Sequence, residues 1–245
     1  DVGEENATKI RDTETKGYEL RLDLTIRNLS DKPQAVTYRL QGPVGLPLEN
    51  KEHTQTYRSV RDGKFADDQQ DVPLAERQVD LVTRSASDVS TAANEDNLEE
   101  WTNPFRYIGV DVQYFAALIV PLDDQIQSPY IASAQEMVVE EGKADGKPKP
   151  EHSDVSVQLT SSVLKLKAKG LPGFEVTHSY SLYAGPKREA LLEPLSATGV
   201  IDFGWFPFGS AIMGFISHSM LAVVNFLHNA AGVPYGFAII LLTIM

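Results

Sequence analysis

The five histidines of this 245-residue chain and carboxylate pairs such as Glu99-Glu100, Asp123-Asp124 and Glu140-Glu141 are the groups best suited to acid–base or metal chemistry. Their spacing argues against both. His53, His152 and His178 are scattered, and no pair has a metal-ligand spacing such as HExxH. His218 and His228 stand ten residues apart in an apolar stretch. On a helix that separation falls about 80° short of three turns, so they share no tight face. The pairs Glu99-Glu100, Asp123-Asp124 and Glu140-Glu141 are immediate neighbours, and on a strand neighbours point to opposite faces. Solvated charge is the reading they favour over an acid/base couple of the glycosidase type. No GxSxG elbow and no Gly-rich phosphate loop occur, and the absence of cysteine removes disulfides, thiolate metal sites and a cysteine nucleophile. No catalytic residue, metal site or cofactor is expected. His178 falls on the apolar side of its segment and reads as a core histidine satisfied by a backbone group. Tyr114 and Phe115 are candidates for lining an apolar groove, with core packing as the competing reading. The triplets Asn6-Ala7-Thr8 and Asn28-Leu29-Ser30 match a glycosylation acceptor only weakly.

The elements that would carry these residues are mostly strands. From Tyr18 to Arg27 every even position is apolar and every odd one polar, the period of a half-buried strand. A turn at 28–33 precedes renewed alternation through Val36, Tyr38 and Leu40, which predicts an antiparallel pair. Val155, Val157 and Leu159 repeat the pattern, as do Phe174, Val176, His178, Tyr180 and Leu182. Phe105 to Val120 is more continuously apolar and reads as a strand buried on both faces. Residues 50–100 are polar and weakly periodic, with short strands and a long excursion expected. Glu140 to Glu151 reads as an exposed loop, and a helix is expected near Lys187 to Leu195. Strands without long amphipathic helices point to a mainly β, antiparallel sandwich.

Charge divides the chain more sharply than any motif. All 22 Lys and Arg and all 34 Asp and Glu lie before residue 203, and none follows. The formal charge of −12 therefore belongs to the first part, predicting a soluble body that binds nucleic acid and anionic headgroups poorly. In the uncharged part, Ser210, Gly214, Ser217, Asn225 and His228 form a narrow polar stripe on an apolar helix, 208–228. Phe203, Trp205, Phe206 and Phe208, with Phe215 and Phe226 further along, suit anchors at headgroup level. The competing reading makes 208–228 the buried helix of a soluble domain. After Pro234 a second apolar run begins, and it stops at Met245, short of the roughly 20 residues that span a bilayer. Three parts are expected: a β domain over 1–200, an amphipathic interfacial helix and break over 201–232, and the truncated start of a transmembrane helix over 233–245. With no Met or signal peptide ahead of Asp1, the chain reads as a fragment of a longer membrane protein.

Several segments resemble the bacterial YidC membrane insertases of the YidC/Oxa/Alb family. Ile201-Asp202-Phe203-Gly204-Trp205-Phe206 is similar to the DYGW stretch ahead of that family's interfacial helix. Tyr235-Gly236-Phe237-Ala238-Ile239-Ile240-Leu241-Leu242-Thr243 is similar to the start of its second transmembrane helix. Gln113-Tyr114-Phe115-Ala116-Ala117 with Pro121, and Tyr183-Ala184-Gly185-Pro186-Lys187, resemble strand and GPK motifs of its periplasmic domain. The resemblance is specific over 105–121, 180–190 and 200–245, and 50–100 departs from it. It implies a β-supersandwich facing the periplasm, carried by a protein of the bacterial inner membrane. That protein inserts and folds inner-membrane proteins, alone or beside the Sec translocon, without cofactor or bond cleavage. Nascent inner-membrane proteins, Sec components and the lipid bilayer are the implied partners, and nucleic acid is not. The family's groove arginine would fall beyond Met245. The runner-up is a periplasmic carbohydrate-binding or sugar-modifying sandwich, and a third reading is a scaffold for other translocation components.

Overall fold

A computed structural model describes residues 17–48, 58–67, 69–102, 104–201, 219–220, 222–228 and 232–244. The chain divides into two compact units, Asp1–Val200 and Ile201–Met245.

The first unit is an antiparallel sandwich. Its larger sheet has six strands, taken here in sequence order: β1 (Glu19–Arg27), β4 (Ser59–Phe65), β5 (Val79–Ser85), β7 (Phe105–Asp111), β8 (Phe115–Pro121) and β14 (Glu175–Pro186). Their spatial order is β1-β14-β8-β7-β4-β5. The smaller sheet runs β3-β12-β9-β6, from Arg39–Gln41, Asp154–Ser161, Ile131–Glu140 and Glu100–Thr102. Two ribbons complete it, β2 (Gln34–Val36) with β13 (Leu164–Leu166), and β10 (Lys143–Ala144) with β11 (Lys147–Pro148).

Val60, Ile108, Val110 and Ile119 of the large sheet meet Ile131, Ala134, Val155, Val157 and Leu159 of the small one in a single buried core. The inward rows of Val155–Leu159 and of His178–Leu182 obey the alternation read from the sequence. Between the sheets, Arg84 on β5 reaches the fully buried Glu136 on β9 at 3.2 Å.

Four expectations are corrected. β1 does not pair with the segment after its turn; it pairs along its whole length with β14, Leu24 facing His178. The turn itself diverts the chain. The buried Asn28 amide donates to the carbonyls of Lys32 and Lys167, both at 2.8 Å, and the next strands join other sheets. Those bonds also occupy the Asn28 side chain, which removes it as a glycosylation acceptor. Phe105–Val120 is two strands, β7 and β8, doubled back at 112–114, both nearly all buried because helical turns cover the sheet's other face. The 50–100 region contains a helix, α1 (Ala86–Asn94), opened by a Ser85–Asp88 capping box. Its polar composition hides a buried stripe of Ala86, Val89, Ser90 and Ala92. Finally, the 140–151 loop holds the β10–β11 hairpin. Asp145 and Gly146 both take positive φ, as a two-residue turn of this kind requires.

The expected helix near 187–195 is present as α2 (Glu189–Leu192) and a following 3-10 turn, Glu193–Leu195. In the second unit, residues 222–228 are helical and α3 spans Tyr235–Ile244. No helix among the described residues is long and apolar enough to cross a membrane.

Candidate functional site

The clearest concavity lies at the β1 margin of the sandwich. Leu20 and Leu22 of β1, Leu182 of β14 and Ala117 and Ile119 of β8 form one wall, and Leu40 to Pro43 form the other. The cleft holds about 440 Å³, and none of the described residues that line it is Asp, Glu, Lys, Arg or His. Alternation produces it: the even residues of β1 and β14 face inward, but the small sheet ends at β3 and leaves this margin uncovered. Tyr18 closes one end. Its ring rests on Gly185, where a Cβ would lie 2.7 Å away, so only glycine admits the contact.

Deeper along the same face of β14 the lining turns polar. The Tyr38 hydroxyl is 2.7 Å from His178 Nδ1 and 2.6 Å from the Tyr180 hydroxyl. All three are satisfied when Tyr180 donates to Tyr38 and Tyr38 donates to the imidazole. Tyr130 stacks on His178 with centroids 4.1 Å apart and donates its hydroxyl to the Ser179 carbonyl at 2.7 Å. Burial lowers the His178 pKa and raises those of Tyr38, Tyr130 and Tyr180, so every member is neutral at pH 7. His178 is thus a core histidine as expected, although its partner is a tyrosine hydroxyl rather than a backbone group. The cluster clamps the two sheets together behind the cleft.

The other face of the large sheet carries a buried ion cluster. Asp111, wholly buried, meets Arg61 Nε at 2.9 Å and the Lys187 ammonium in closer contact still. Arg61 also donates to the Thr83 hydroxyl at 2.7 Å. Burial pushes the Asp111 carboxyl up while the two cations pull it down. Lys187 belongs to the GPK motif, and its amide donates to the Tyr114 carbonyl at 2.8 Å, so the motif ties the chain toward residue 200 to the β7–β8 hairpin. Beyond it, Arg106 donates to the Pro194 carbonyl, and Leu191, Leu192, Leu195 and Val200 are buried. Gly63 receives the Tyr107 ring beneath this cover, a second place where a side chain would collide.

One buried carboxylate has no such partner. Asp62 faces the core from β4, opposite Val82 and Ile108, and neither oxygen has a hydrogen-bond partner. Desolvation pushes its pKa up to about 7, against a weaker pull from Lys64. The sequence offered one signal for these groups: Ser59–Phe65 places Arg61, Asp62 and Lys64 inside a strand flanked by Val60 and Phe65.

The structure separates the residues singled out from sequence. Tyr114 sits in the β7–β8 turn, 59% exposed, and Phe115 opens β8; neither lines the cleft, which begins at Ala117. Phe203, Trp205, Phe206, Phe208 and Phe215 lie outside the described residues. Phe226 is 67% exposed on the 222–228 helix. His228 stacks on Tyr235 at 3.9 Å and its Nδ1 is 3.0 Å from the Val233 carbonyl, bracketing the break at Gly232, whose φ is positive. Of the carboxylate pairs, Asp124 binds Arg77 at 2.7 Å and Glu99 approaches Arg84 at 3.3 Å. Among the described residues no group of His, Asp and Glu has metal-binding geometry.

Fold and site together define an antiparallel β-sandwich domain with an uncharged cleft at one margin. Residues 5–214 match the family of the YidC periplasmic domain, and the chain belongs to that family. No curated protein matches it. Family membership makes this the periplasmic segment of a membrane protein and associates it with membrane-protein insertion.

Proposed function

We propose that this chain is the periplasmic part of an inner-membrane insertase and chaperone, and that the β1-margin cleft receives extended apolar segments of nascent membrane proteins. The observation that carries this reading is the cleft itself: largely aliphatic and aromatic walls, open to solvent, with no charged group among the described residues of the lining. An apolar segment waiting outside the bilayer gains about 25 cal/mol for each Å² it hides. A lining made mostly of aliphatic side chains, with Gln41 and the tyrosines Tyr18 and Tyr183 as its polar groups, makes few sequence-specific demands on a guest. The mechanism is physical: the insertase lowers the several-kcal/mol cost of carrying each unsatisfied polar group into lipid.

In the same reading, Phe203, Trp205, Phe206, Phe208, Phe215 and Phe226 anchor an interfacial helix at the periplasmic surface of the bilayer. Tyr235 onward starts a spanning helix. Tyr114 and Phe115 add exposed apolar surface at the GPK end of the domain. Substrates come from the nascent chain directly or beside the Sec translocon, and no cofactor takes part. A carbohydrate site would need convergent histidine and carboxylate groups, and the described residues of the cleft lining include neither.

The test is site-directed photo-crosslinking in the membrane-embedded protein during synthesis of an inner-membrane substrate. A photoreactive residue in place of Leu22 or Leu182 is expected to capture the nascent chain, and one in place of exposed Glu141 is not. Capture at Glu141 alone, or at none of the three, overturns the cleft assignment.

A further inference from the structure

The body carries its −12 charge unevenly. Residues 32–48 and 155–174 contain no Asp or Glu, yet they hold Lys32, Arg39, Lys165, Lys167 and Lys169. The fold brings these two segments together. β2 and β13 pair as a ribbon, Lys165 opposite Ala35, and beyond it the Lys169 amide donates to the Ser30 carbonyl at 2.9 Å. The ribbon is two-faced. Leu166 is buried and Leu164 and Val36 are half-buried beneath it, whereas Val163, Lys165, Lys167 and Lys169 are exposed. Lys165 thus projects from the outer face of β13, and Lys167 and Lys169 follow it on the exposed segment that leaves the strand. Among the described residues none of the five cations has a carboxylate partner. Glu175, the nearest acid at the loop end, is held by Arg27 at 2.6 Å, and Asp31 is the one other acid on the adjoining loop. Three apolar side chains stand exposed among these cations: Leu29, Val163 and Leu171.

We infer that the outer face of the β2–β13 ribbon docks on the anionic headgroups of a lipid bilayer. Charge complementarity selects the partner class, since a body with a net charge of −12 is repelled overall by an anionic surface and this acid-free patch is not. The exposed aliphatics select lipid over an acidic peptide, because an interface takes up apolar side chains between the headgroups that lysines bind. The ribbon is distinct in sequence from the aromatic anchors proposed within 203–226, and its contact depends on lipid charge where theirs does not. The inference rests on the domain being tethered to a membrane by the uncharged segment after residue 202.

The chain lacks cysteine, so a single label can be placed cleanly. A polarity-sensitive fluorophore is attached at Ala35→Cys, on the ribbon, or at Glu141→Cys, at the opposite end of the small sheet. The full chain is then bound to vesicles of phosphatidylcholine alone, or of three parts phosphatidylcholine to one part phosphatidylglycerol, each with headgroup-quencher lipids. Quenching is expected at Ala35→Cys, only with phosphatidylglycerol, and it is expected to fall as salt rises. Changing Lys165, Lys167 and Lys169 together to Gln lowers the docked fraction relative to undocked roughly a hundredfold, at about fivefold for each cation. All three are exposed, so the melting temperature stays within a degree or two and reports that the fold is intact. Equal quenching in both vesicles, equal quenching at Glu141→Cys, or no response to the triple change overturns the inference. So does lysine-dependent binding of a polyglutamate peptide without lipid quenching, which would assign the ribbon to an acidic protein. Co-sedimentation with phosphatidylcholine vesicles reads the tether separately: loss of that binding refutes the tethering premise rather than the ribbon.

Discussion

The β1 margin and the β4–β7 centre of the same sheet are built on opposite principles. At the margin, apolar side chains of β1 and β14 lie open to solvent without a charge among them. At the centre, Arg61, Asp62 and Asp111 are charged groups buried in strands, and Lys187 joins them from the segment toward residue 200. Burying charge is costly, and removing one partner of a buried pair is costlier than never having built it. The centre is therefore intolerant of change and holds its geometry, while the margin tolerates change and is free to accept a guest. A domain that receives varied apolar segments needs both: a rigid frame and an adaptable edge.

The sharpest way to break the contrast is at Asp111. Asp111→Asn removes the buried carboxylate that meets Arg61 and Lys187 and is expected to cost about 3–5 kcal/mol in denaturant unfolding. A loss no larger than that of a surface substitution would show the centre to be as forgiving as the margin.

Asp62 sharpens it with the opposite sign. Its folded pKa is raised to about 7 from 3.8, so the native state binds the extra proton between those values. Stability linked to this group is highest below about pH 4, falls as pH rises to 7, and stays low above that. Three pKa units amount to about 4 kcal/mol as an upper limit. Asp62→Asn is expected to stabilise the domain at pH 8 and to lose that advantage by pH 4. Parallel stability–pH curves for the two proteins would contradict the burial of an unpaired carboxylate.

Behind the cleft, Tyr38→Phe removes the hydroxyl shared by His178 and Tyr180. The expected loss is about 1–2 kcal/mol, with Tyr180 left without its acceptor. Thermal melts give this directly. The smallest stability effect belongs to the margin itself. Leu20→Ser is expected to change stability by less than about 0.5 kcal/mol, because the side chain is largely exposed already. The same change is expected to weaken binding of an apolar peptide or dye measured by fluorescence titration. Normal binding would move the receiving surface elsewhere.

Local periodicity made the strands readable. Tyr18–Arg27, Val155–Leu159 and Phe174–Leu182 alternate between apolar and polar because each turns one face toward the sandwich interior, and that constraint is written residue by residue. The charge break at residue 203 was equally plain, since composition needs no partner to interpret. Pairing was not readable in this way. β1 could have joined the strand after its own turn, and what diverts it is an Asn28 amide bonded to a carbonyl 139 residues away. Helix α1 escaped notice because its burial comes from packing, not from a strongly amphipathic pattern.

For the site, the residues proposed from aromatic content, Tyr114 and Phe115, lie outside the cleft, and ordinary leucines line it. A leucine carries no mark of whether its strand will be covered. Alternation decided that β1 and β14 each have an apolar face, and charge distribution decided that the body is acidic and the tail is not. Which apolar row stays open, which carboxylates are sealed in, and which lysines share a ribbon were decided by long-range strand order. Coverage and charge pairing are properties of neighbours, and neighbours distant in sequence are chosen only when the sheets assemble.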